Sequence, residues 1–148
     1  MILRKSLIIW VEMKIILIGA PGVGKGTVAN FLVKKFNIPH IATGDILREE
    51  AKTNKNLRKV MNQGKLVPDK VVSEIIEKRL KKEDCRNGFI LDGFPRTIEQ
   101  AKFLEKNNAA FDYALNLKAS EKEIIRRLSG RRICEKCNAI YHIENILI

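Results

Sequence analysis

The stretch Gly19-Ala20-Pro21-Gly22-Val23-Gly24-Lys25-Gly26-Thr27 decides how this chain of 148 residues is expected to fold. Its glycines and its lysine have the spacing of a phosphate-binding loop, in which backbone N–H groups point inward at phosphate oxygens. Such a loop needs residues without Cβ clashes, and it places the ligand at the positive N-terminus of the next helix. The sequence therefore predicts a turn that holds nucleoside phosphates, with the Lys25 ammonium on their terminal groups.

The residues on both sides of this loop predict a strand before it and a helix after it. Ile15–Ile18 is a continuous apolar run rich in β-branched residues, as in a strand buried on both faces. Val28, Phe31, Leu32 and Phe36 then recur at helical spacing. Strand, glycine loop and helix open a parallel α/β unit, so the loop stands in the context that the motif requires.

The same alternation continues along the chain and predicts an α/β fold with four parallel strands. Further strands are expected over 39–42, 88–92 and 112–117. Helices are expected from Thr43 as N-cap to about Ala51, from Pro68-Asp69 through Leu80, from a capping box at 97–100 to about Lys106, and from a second box at 120–123 through Leu128. Right-handed crossovers would place helices on both faces of the sheet, and ligands at the carboxyl ends of its strands.

The composition fits a soluble globular domain with either an anionic partner or simply a solvated basic surface. Lys and Arg total 28 against 17 for Asp and Glu, a formal net charge of +11. This excess favours nucleotides, nucleic acid or a membrane surface, and charge alone does not choose among them. An odd cysteine count without a secretory segment favours a reducing cytoplasm over a disulfide scaffold.

The first residues are expected to lie outside the folded domain. The apolar run Leu7–Val11 is too short for a signal peptide and far too short to span a bilayer. Met13 directly precedes the first predicted strand. We therefore expect Met13 to be the working start of the protein and residues 1–12 to be an upstream extension.

Three sequence signatures resemble those of adenylate kinases. The first is the loop itself, because Gly26 followed by Thr27, in place of Ser or Thr directly after the lysine, is normal in that family. The second is Thr43-Gly44-Asp45-Ile46-Leu47-Arg48, and the third is Asp92-Gly93-Phe94-Pro95-Arg96-Thr97. The resemblance runs from Met13 to about His142. It implies a P-loop kinase fold that transfers a phosphoryl group from ATP, with Mg²⁺, to AMP.

The resemblance also implies which residues form two nucleotide sites. The ATP site would take Gly22, Val23, Gly24, Lys25, Gly26, Thr27, Arg131, Ile140 and Tyr141. The AMP site would take Thr43, Arg48, Lys65, Leu66, Val67, Gly93, Phe94, Pro95, Arg96 and Gln100. The transfer itself would depend on Lys25, Asp92, Arg96, Arg127 and Arg131.

General chemistry supports the acceptor side of this assignment. Asp92 ends a predicted buried strand, where a carboxylate can orient water around Mg²⁺. Arg96 offers a planar fork of donors that suits a phosphate. Two roles stay open for Gln100: its amide either bonds the Thr97 backbone, completing the capping box, or pairs with the adenine edge as donor and acceptor.

The final segment resembles part of a lid. Arg127 and Arg131 are four residues apart, which suits a solvated basic face or, by the resemblance, two groups facing the transferred phosphoryl. Cys134 and Cys137 form a C-x-x-C pair that resembles the first half of the zinc knuckle in long-lid adenylate kinases. A structural Zn²⁺ needs four ligands, so an incomplete zinc site is expected, with His142 as a weak third candidate.

The resemblance divides the chain into a core over 13–41 and 72–129, an AMP-binding insertion over 42–71 and an incomplete lid over 130–148. The rest of the lid, a fifth parallel strand and the final helix are expected to be missing, which suggests a truncation or a frameshift.

The leading functional expectation is a monomeric, cytoplasmic adenylate kinase that converts ATP and AMP into two ADP. Its partners would be these nucleotides alone, with neither nucleic acid nor a membrane, and the incomplete lid would make it slow. Two alternatives stay close to this one: a nucleotide-binding but inactive fragment, and a kinase for another nucleoside monophosphate. A third is an RNA-binding protein that uses the basic surface and the cysteine pair, and its binding would be sensitive to salt.

Overall fold

A computed structural model describes residues 12–63, 65–107, 110–134 and 140–145 of the chain. The six strands of this part are β1 Met13–Ile18, β2 His40–Ala42, β3 Gly88–Asp92, β4 Tyr113–Asn116, β5 Arg131–Ile133 and β6 Ile140–His142. Its six α-helices are α1 Lys25–Phe36, α2 Thr43–Thr53, α3 Lys55–Asn62, α4 Asp69–Leu80, α5 Ile98–Lys106 and α6 Glu121–Gly130.

Four strands form a parallel sheet in the order β2-β3-β1-β4. The register sets Leu17 and Ala42 on either side of Asp92 at the end of β3. Helices flank the sheet, so the expected α/β architecture with four parallel strands is confirmed. The carboxyl ends of β1, β2 and β3 consequently lie side by side, and the three signature motifs begin there.

The core lies on both faces of the sheet because successive side chains of a strand point to opposite faces. On one face, Ile16, Phe89 and Leu91 pack in a cluster that includes Val72 and Ile76 of α4. On the other face, Ile15, Leu17 and Ile90 pack with Ala29 of α1 and Ile38. This double burial explains why β1 and β3 have continuous apolar sequences instead of alternating ones.

The two capping predictions are confirmed at their N-caps. The Thr97 hydroxyl accepts a hydrogen bond from the Gln100 N–H at 3.2 Å, and the Ser120 hydroxyl accepts one from the Glu123 N–H at 3.3 Å. The N-cap prediction for Thr43 is wrong, because Ala42 precedes α2 in extended backbone and Thr43 is already the first helical residue. The Thr43 side chain points into the protein, where 2% of the residue is exposed.

Two features were missed by the sequence analysis. Helix α3 has only eight residues and a mostly polar sequence, so its apolar face is limited to Leu57, Val60 and Met61, of which Leu57 is buried; the Asn54 side chain caps it by accepting from the Leu57 N–H. The antiparallel pair β5–β6 has only three residues in each strand, too few to give an alternating pattern. Within the described residues, no helix has the length and apolar character needed to cross a membrane.

The buried face of α4 gives a test of this core. Ile76 is 0% exposed, whereas Ile98 at the start of α5 is 69% exposed. We expect Ile76→Ala to lower the free energy of unfolding by about 2–5 kcal/mol, because it removes buried methyl groups and leaves a cavity. The matched change Ile98→Ala should alter it by no more than about 0.5 kcal/mol. Urea denaturation of both variants measures this, and equal losses would contradict the assigned burial.

Candidate functional site

The phosphate loop joins β1 to α1 and is closely covered by other parts of the chain. Gly22 has φ +82°, and a Cβ added there would lie 2.8 Å from Cγ of Leu128 in α6. Gly19 has φ +146°, and its added Cβ would lie 2.6 Å from the Leu117 carbonyl oxygen. Residues with a side chain rarely adopt such φ values, so both the turn and its close contacts require glycine here.

Lys25 is the first residue of α1, and its side chain folds back over the loop. Its Nζ donates to the carbonyl oxygens of Gly19 at 2.9 Å and Ala20 at 3.1 Å. Gly26 and Thr27 are exposed in the same first turn, whereas the Val23 side chain is buried. The loop therefore carries a cation bonded to its own carbonyl oxygens, and its main chain can face a ligand while the Val23 side chain anchors it.

Arg127 in α6 reaches this loop from outside. Its Nη1 donates to the Val23 carbonyl oxygen at 3.0 Å, and its Nε donates to Glu123 Oε1 at 2.6 Å. The same carboxylate accepts two bonds from Arg126, each 2.9 Å long. The guanidinium groups of Arg126 and Arg127 lower the pKa of Glu123 to about 2, because they favour its charged form.

Arg131, the second arginine expected at the ATP phosphates, lies at the start of β5. It is exposed, and its partner in the β5–β6 ladder is His142. Its guanidinium makes no hydrogen bond or ion pair within the described part of the chain. Ile140 and Tyr141, also expected at ATP, belong to β6, and Tyr141 is 49% exposed.

On the acceptor side, Asp92 and Thr43 follow neighbouring strands. Asp92 Oδ2 lies 3.2 Å from Nε2 of His40, and both side chains are largely buried. Among the buried side-chain polar atoms of the described residues, Thr43 Oγ1 is the one without a hydrogen-bond partner. A buried hydroxyl in this state is costly, because it loses its bonds to water and gains none within the described part of the protein.

The loop after Asp92 holds its arginine close to the main chain. Arg96 Nε donates to the Gly93 carbonyl oxygen at 2.8 Å, and the exposed side chain has further donors available. Phe94 is 1% exposed and belongs to the core, so only its main chain is available to a ligand. Pro95 follows it in a cis peptide bond.

The Gln100 amide does not bond the Thr97 backbone, the partner expected within the protein. Its Oε1 accepts from the Arg96 N–H at 2.7 Å, and its Nε2 donates to Asp69 Oδ1 at 2.7 Å. The capping-box interpretation is therefore corrected: the side chain bonds the Arg96 N–H, one residue before Thr97. The reason is that Asp69, at the start of α4, supplies an acceptor for the other end of the amide.

The insertion residues Arg48, Lys65, Leu66 and Val67 differ in their surroundings. Arg48 pairs with Asp45 one helical turn away. Lys65 and Leu66 are exposed, the latter by 86%, whereas Val67 packs against the core beside α4. Lys65 and Leu66 are therefore available to an external ligand, and Val67 connects this stretch to the body of the protein.

The expected zinc ligands are only partly covered by the structure. Cys134 follows β5, whereas Cys137 lies outside the described residues. His142 lies on Gly130 with Nε2 3.4 Å from the Arg126 carbonyl oxygen, and its Nδ1 accepts from the Glu144 N–H at 3.3 Å. No group of three or more His, Cys, Asp or Glu side chains suited to a metal ion occurs in the described ranges.

Three residues of this site were missed by the sequence analysis. His40 and Asp69 carry no motif of their own, and their contacts with Asp92 and Gln100 come from distant parts of the chain. Glu123 was assigned to a capping box, whereas its carboxylate binds two arginines. The spacing of Glu123 and Arg127, four apart on a helix, is the signal that could have found this pair.

Comparison with known proteins identifies close relatives. The family model described as Adenylate kinase matches residues 17–146. Proteins named Adenylate kinase from Caldicellulosiruptor bescii, Alkaliphilus oremlandii and Finegoldia magna are 52%, 51% and 48% identical to the chain over 139, 140 and 141 residues. These alignments cover 88%, 89% and 90% of the chain. They cover 65%, 65% and 66% of the relatives, so the chain spans less than two thirds of their length.

The Glu123 cluster predicts a specific dependence of stability on pH. Since the pKa of Glu123 falls from 4.5 to about 2 on folding, its contribution is present above about pH 4.5 and is lost as the pH falls towards 2. We expect Glu123→Gln to be less stable than wild type at pH 6, with the difference shrinking steadily below pH 4.5. Urea denaturation across this range measures it.

Glu121→Gln, on the same helical turn, is the matched control. It should show a smaller difference from wild type, because the Glu121 side chain makes no ion pair within the described residues. A wild-type advantage over Glu123→Gln that stays constant from pH 6 to pH 2.5 would contradict the assigned pairing.

Proposed function

The chain belongs to the adenylate kinase family, and we propose that it binds ATP and AMP on adjoining loops and catalyses the reversible reaction ATP + AMP = 2 ADP. The observation that carries the proposal is the phosphate loop beside two further ligand-facing loops, at the ends of three neighbouring strands. A parallel sheet positions its ligands at this edge.

The donor nucleotide would lie along Gly22–Thr27, with its phosphates facing the loop main chain. Lys25 would exchange the carbonyl oxygens of Gly19 and Ala20 for the β and γ phosphates, since phosphate oxygens are charged and form stronger bonds to an ammonium. Arg127 already touches the loop at Val23, so its guanidinium needs only a small movement to reach a phosphate. Arg131, Ile140 and Tyr141 would cover the nucleotide from the β5–β6 side.

The acceptor nucleotide would lie between α2 and the loop that follows β3. The Thr43 hydroxyl lacks a partner and would gain one from AMP. Arg48 and Arg96 would bind the acceptor phosphate, and Gln100 the adenine base. Lys65, Leu66, Val67, Gly93, Phe94 and Pro95 would complete this proposed surface, several of them through their main chain.

The surroundings of Asp92 fit a magnesium ion held through water. One oxygen contacts His40, and the other makes no hydrogen bond within the described residues, so it can accept from metal-bound water. When bound, Mg²⁺ would neutralise charge on the phosphates of ATP. Asp92 would act only by orienting that water.

The chain's own cations would stabilise the charge that develops during transfer. No covalent intermediate is needed, because two nucleotides held in line can exchange a phosphoryl group directly. Lys25, Arg96, Arg127 and Arg131 would surround the group, and an arginine in such a position can contribute ~10³-fold or more to the rate. Exclusion of water by residues 130–148 would direct the phosphoryl group to AMP.

The domain organisation and the physical state of the chain complete the proposal. Residues 13–41 and 72–129 would form the rigid core, with 42–71 as the AMP-binding insertion and 130–148 as a partial lid. The thiols of Cys134 and Cys137 would supply two ligands to a structural zinc ion, and no catalytic step depends on them. We place the protein in the cytoplasm as a monomer.

Two alternatives to this function give different results in the same assay. The chain could bind nucleotides without transferring phosphate, because Arg131 makes no contact within the described residues that fixes its guanidinium at the loop. It could also accept another nucleoside monophosphate. Replacing AMP by UMP or GMP in the same assay distinguishes the second case.

Lys25→Ala tests the donor site. We expect it to weaken the binding of MgATP by about tenfold or more, because it removes a charged hydrogen-bond donor to phosphate. Calorimetry gives the affinity, and a coupled assay of ADP formation from ATP and AMP gives the activity. Lys34→Ala, at the other end of the same helix, removes the same charge and should leave both values unchanged. Equal MgATP affinity for wild type and Lys25→Ala would refute the proposed donor site.

Thr43→Val tests the acceptor site through opposite effects on stability and binding. The free protein should gain about 1 kcal/mol of unfolding free energy, because a buried hydroxyl without a partner is replaced by a methyl group of the same shape. Its affinity for AMP should fall by roughly 3- to 10-fold, because the bond to the ligand is lost. Urea denaturation and calorimetry measure the two effects. A variant that is destabilised and binds AMP normally would exclude this role.

A further inference from the structure

Asp69 forms a polar connection between α4 and the loop that follows β3. Its Oδ1 accepts from Gln100 Nε2 and its Oδ2 accepts from the Thr97 hydroxyl, both at 2.7 Å. Thr97 in turn accepts from the Gln100 N–H at 3.2 Å. Gln100 is 5% exposed, so its amide sits in an environment where an unpaired polar group is costly.

These contacts decide which end of the Gln100 amide points in which direction. A side-chain amide has an acceptor end and a donor end of nearly the same shape, and only its partners tell them apart. A carboxylate can only accept, and a backbone N–H can only donate. Asp69 therefore requires the NH₂ group on its side, and the Arg96 N–H, at 2.7 Å from Oε1, requires the oxygen on the other.

We propose that Asp69 is a positioning residue that sets the purine specificity of the acceptor site by fixing the orientation of the Gln100 amide. The inference rests on the proposed binding of AMP beside Gln100. After its contacts with Asp69 and Arg96, the amide retains one N–H and one oxygen lone pair. Their order along the base edge is fixed, so the site distinguishes bases by the pattern of donors and acceptors.

The fixed order favours a 6-amino purine over a 6-oxo purine. An adenine presents an N6 donor beside an N1 acceptor, which pairs with Oε1 and Nε2 in the observed orientation. A hypoxanthine presents an O6 acceptor beside an N1 donor, which would pair only with a reversed amide. Reversal would set the amide oxygen against the Asp69 carboxylate and the NH₂ group against the Arg96 N–H, so it is strongly disfavoured.

The ratio of AMP affinity to IMP affinity tests this role. Asp69→Ala removes the acceptor that faces Gln100, so the amide can reverse more readily, and we expect the ratio to fall by at least about tenfold. Asp69→Asn keeps the shape of the side chain but can face Gln100 with either its oxygen or its NH₂ group, so we expect a ratio between those of wild type and Asp69→Ala. Calorimetry of both nucleotides with each full-length variant gives the values.

Thr97→Ala is the control for structural damage. It removes the hydroxyl that donates to Asp69 Oδ2 and that caps α5. The Asp69 carboxylate still faces Gln100. It should lower both affinities without changing their ratio. A wild-type ratio in Asp69→Ala, or equal losses for AMP and IMP, would overturn the inference while the proposed function stands. Failure of the wild type to bind AMP would overturn the proposed function itself.

A second measurement applies even if Asp69→Ala does not fold. In wild-type protein, a scalar coupling across the hydrogen bond should link the Gln100 Nε2 nucleus to the Asp69 carboxyl carbon in a long-range NMR experiment. A coupling from the Arg96 N–H to the Gln100 side-chain carbonyl carbon should accompany it. Couplings that instead join Gln100 to other residues would show that Asp69 does not fix the amide.

Discussion

The close contact between the phosphate loop and α6 depends on the glycine at position 22. Its φ of +82° and the 2.8 Å that separates an added Cβ from Leu128 leave no room for a side chain. Because α6 approaches so closely, Arg127, next to Leu128, reaches the Val23 carbonyl oxygen at 3.0 Å. Glu123 holds the same guanidinium from the preceding turn. The proposed chemistry thus depends on a packing contact, because that contact puts a second cation on the loop that leads into Lys25.

The acceptor side is organised by polar contacts between distant segments instead of by close packing. His40 and Asp92 meet at the ends of neighbouring strands, and Asp69 joins the start of α4 to Thr97 and Gln100. These bonds are satisfied within the protein, whereas the Thr43 hydroxyl beside them is not. If AMP binds as proposed, its bond to the Thr43 hydroxyl would offset a cost that is already present in the free protein.

The fold was predictable because its local signals agree with one another. Apolar runs at β1 and β3, the glycine loop and the N-caps at Thr97 and Ser120 all fit one parallel α/β plan. The motifs likewise predicted which loops meet, since parallel strands deliver their carboxyl ends to one edge. The partners of Gln100 were not predictable in this way, because a capping box is a local pattern and Asp69 lies in a distant segment. The capping box also drew attention away from the Glu123 carboxylate, although its four-residue spacing to Arg127 is a helical pairing signal. Thr43 was misassigned because a threonine before a helix is typical of an N-cap, and burial of its side chain has no local signature.

The central claim is that the main chain of Gly22–Thr27, with Lys25 and Arg127, forms the anion site of this protein. An NMR titration of the isotopically labelled chain with MgATP tests it most directly. The account predicts that the backbone amide resonances of Gly22–Thr27 and the side-chain Nε resonance of Arg127 shift together and saturate at one nucleotide per chain. Saturable shifts confined to other parts of the chain, or no shifts at millimolar MgATP, would contradict it.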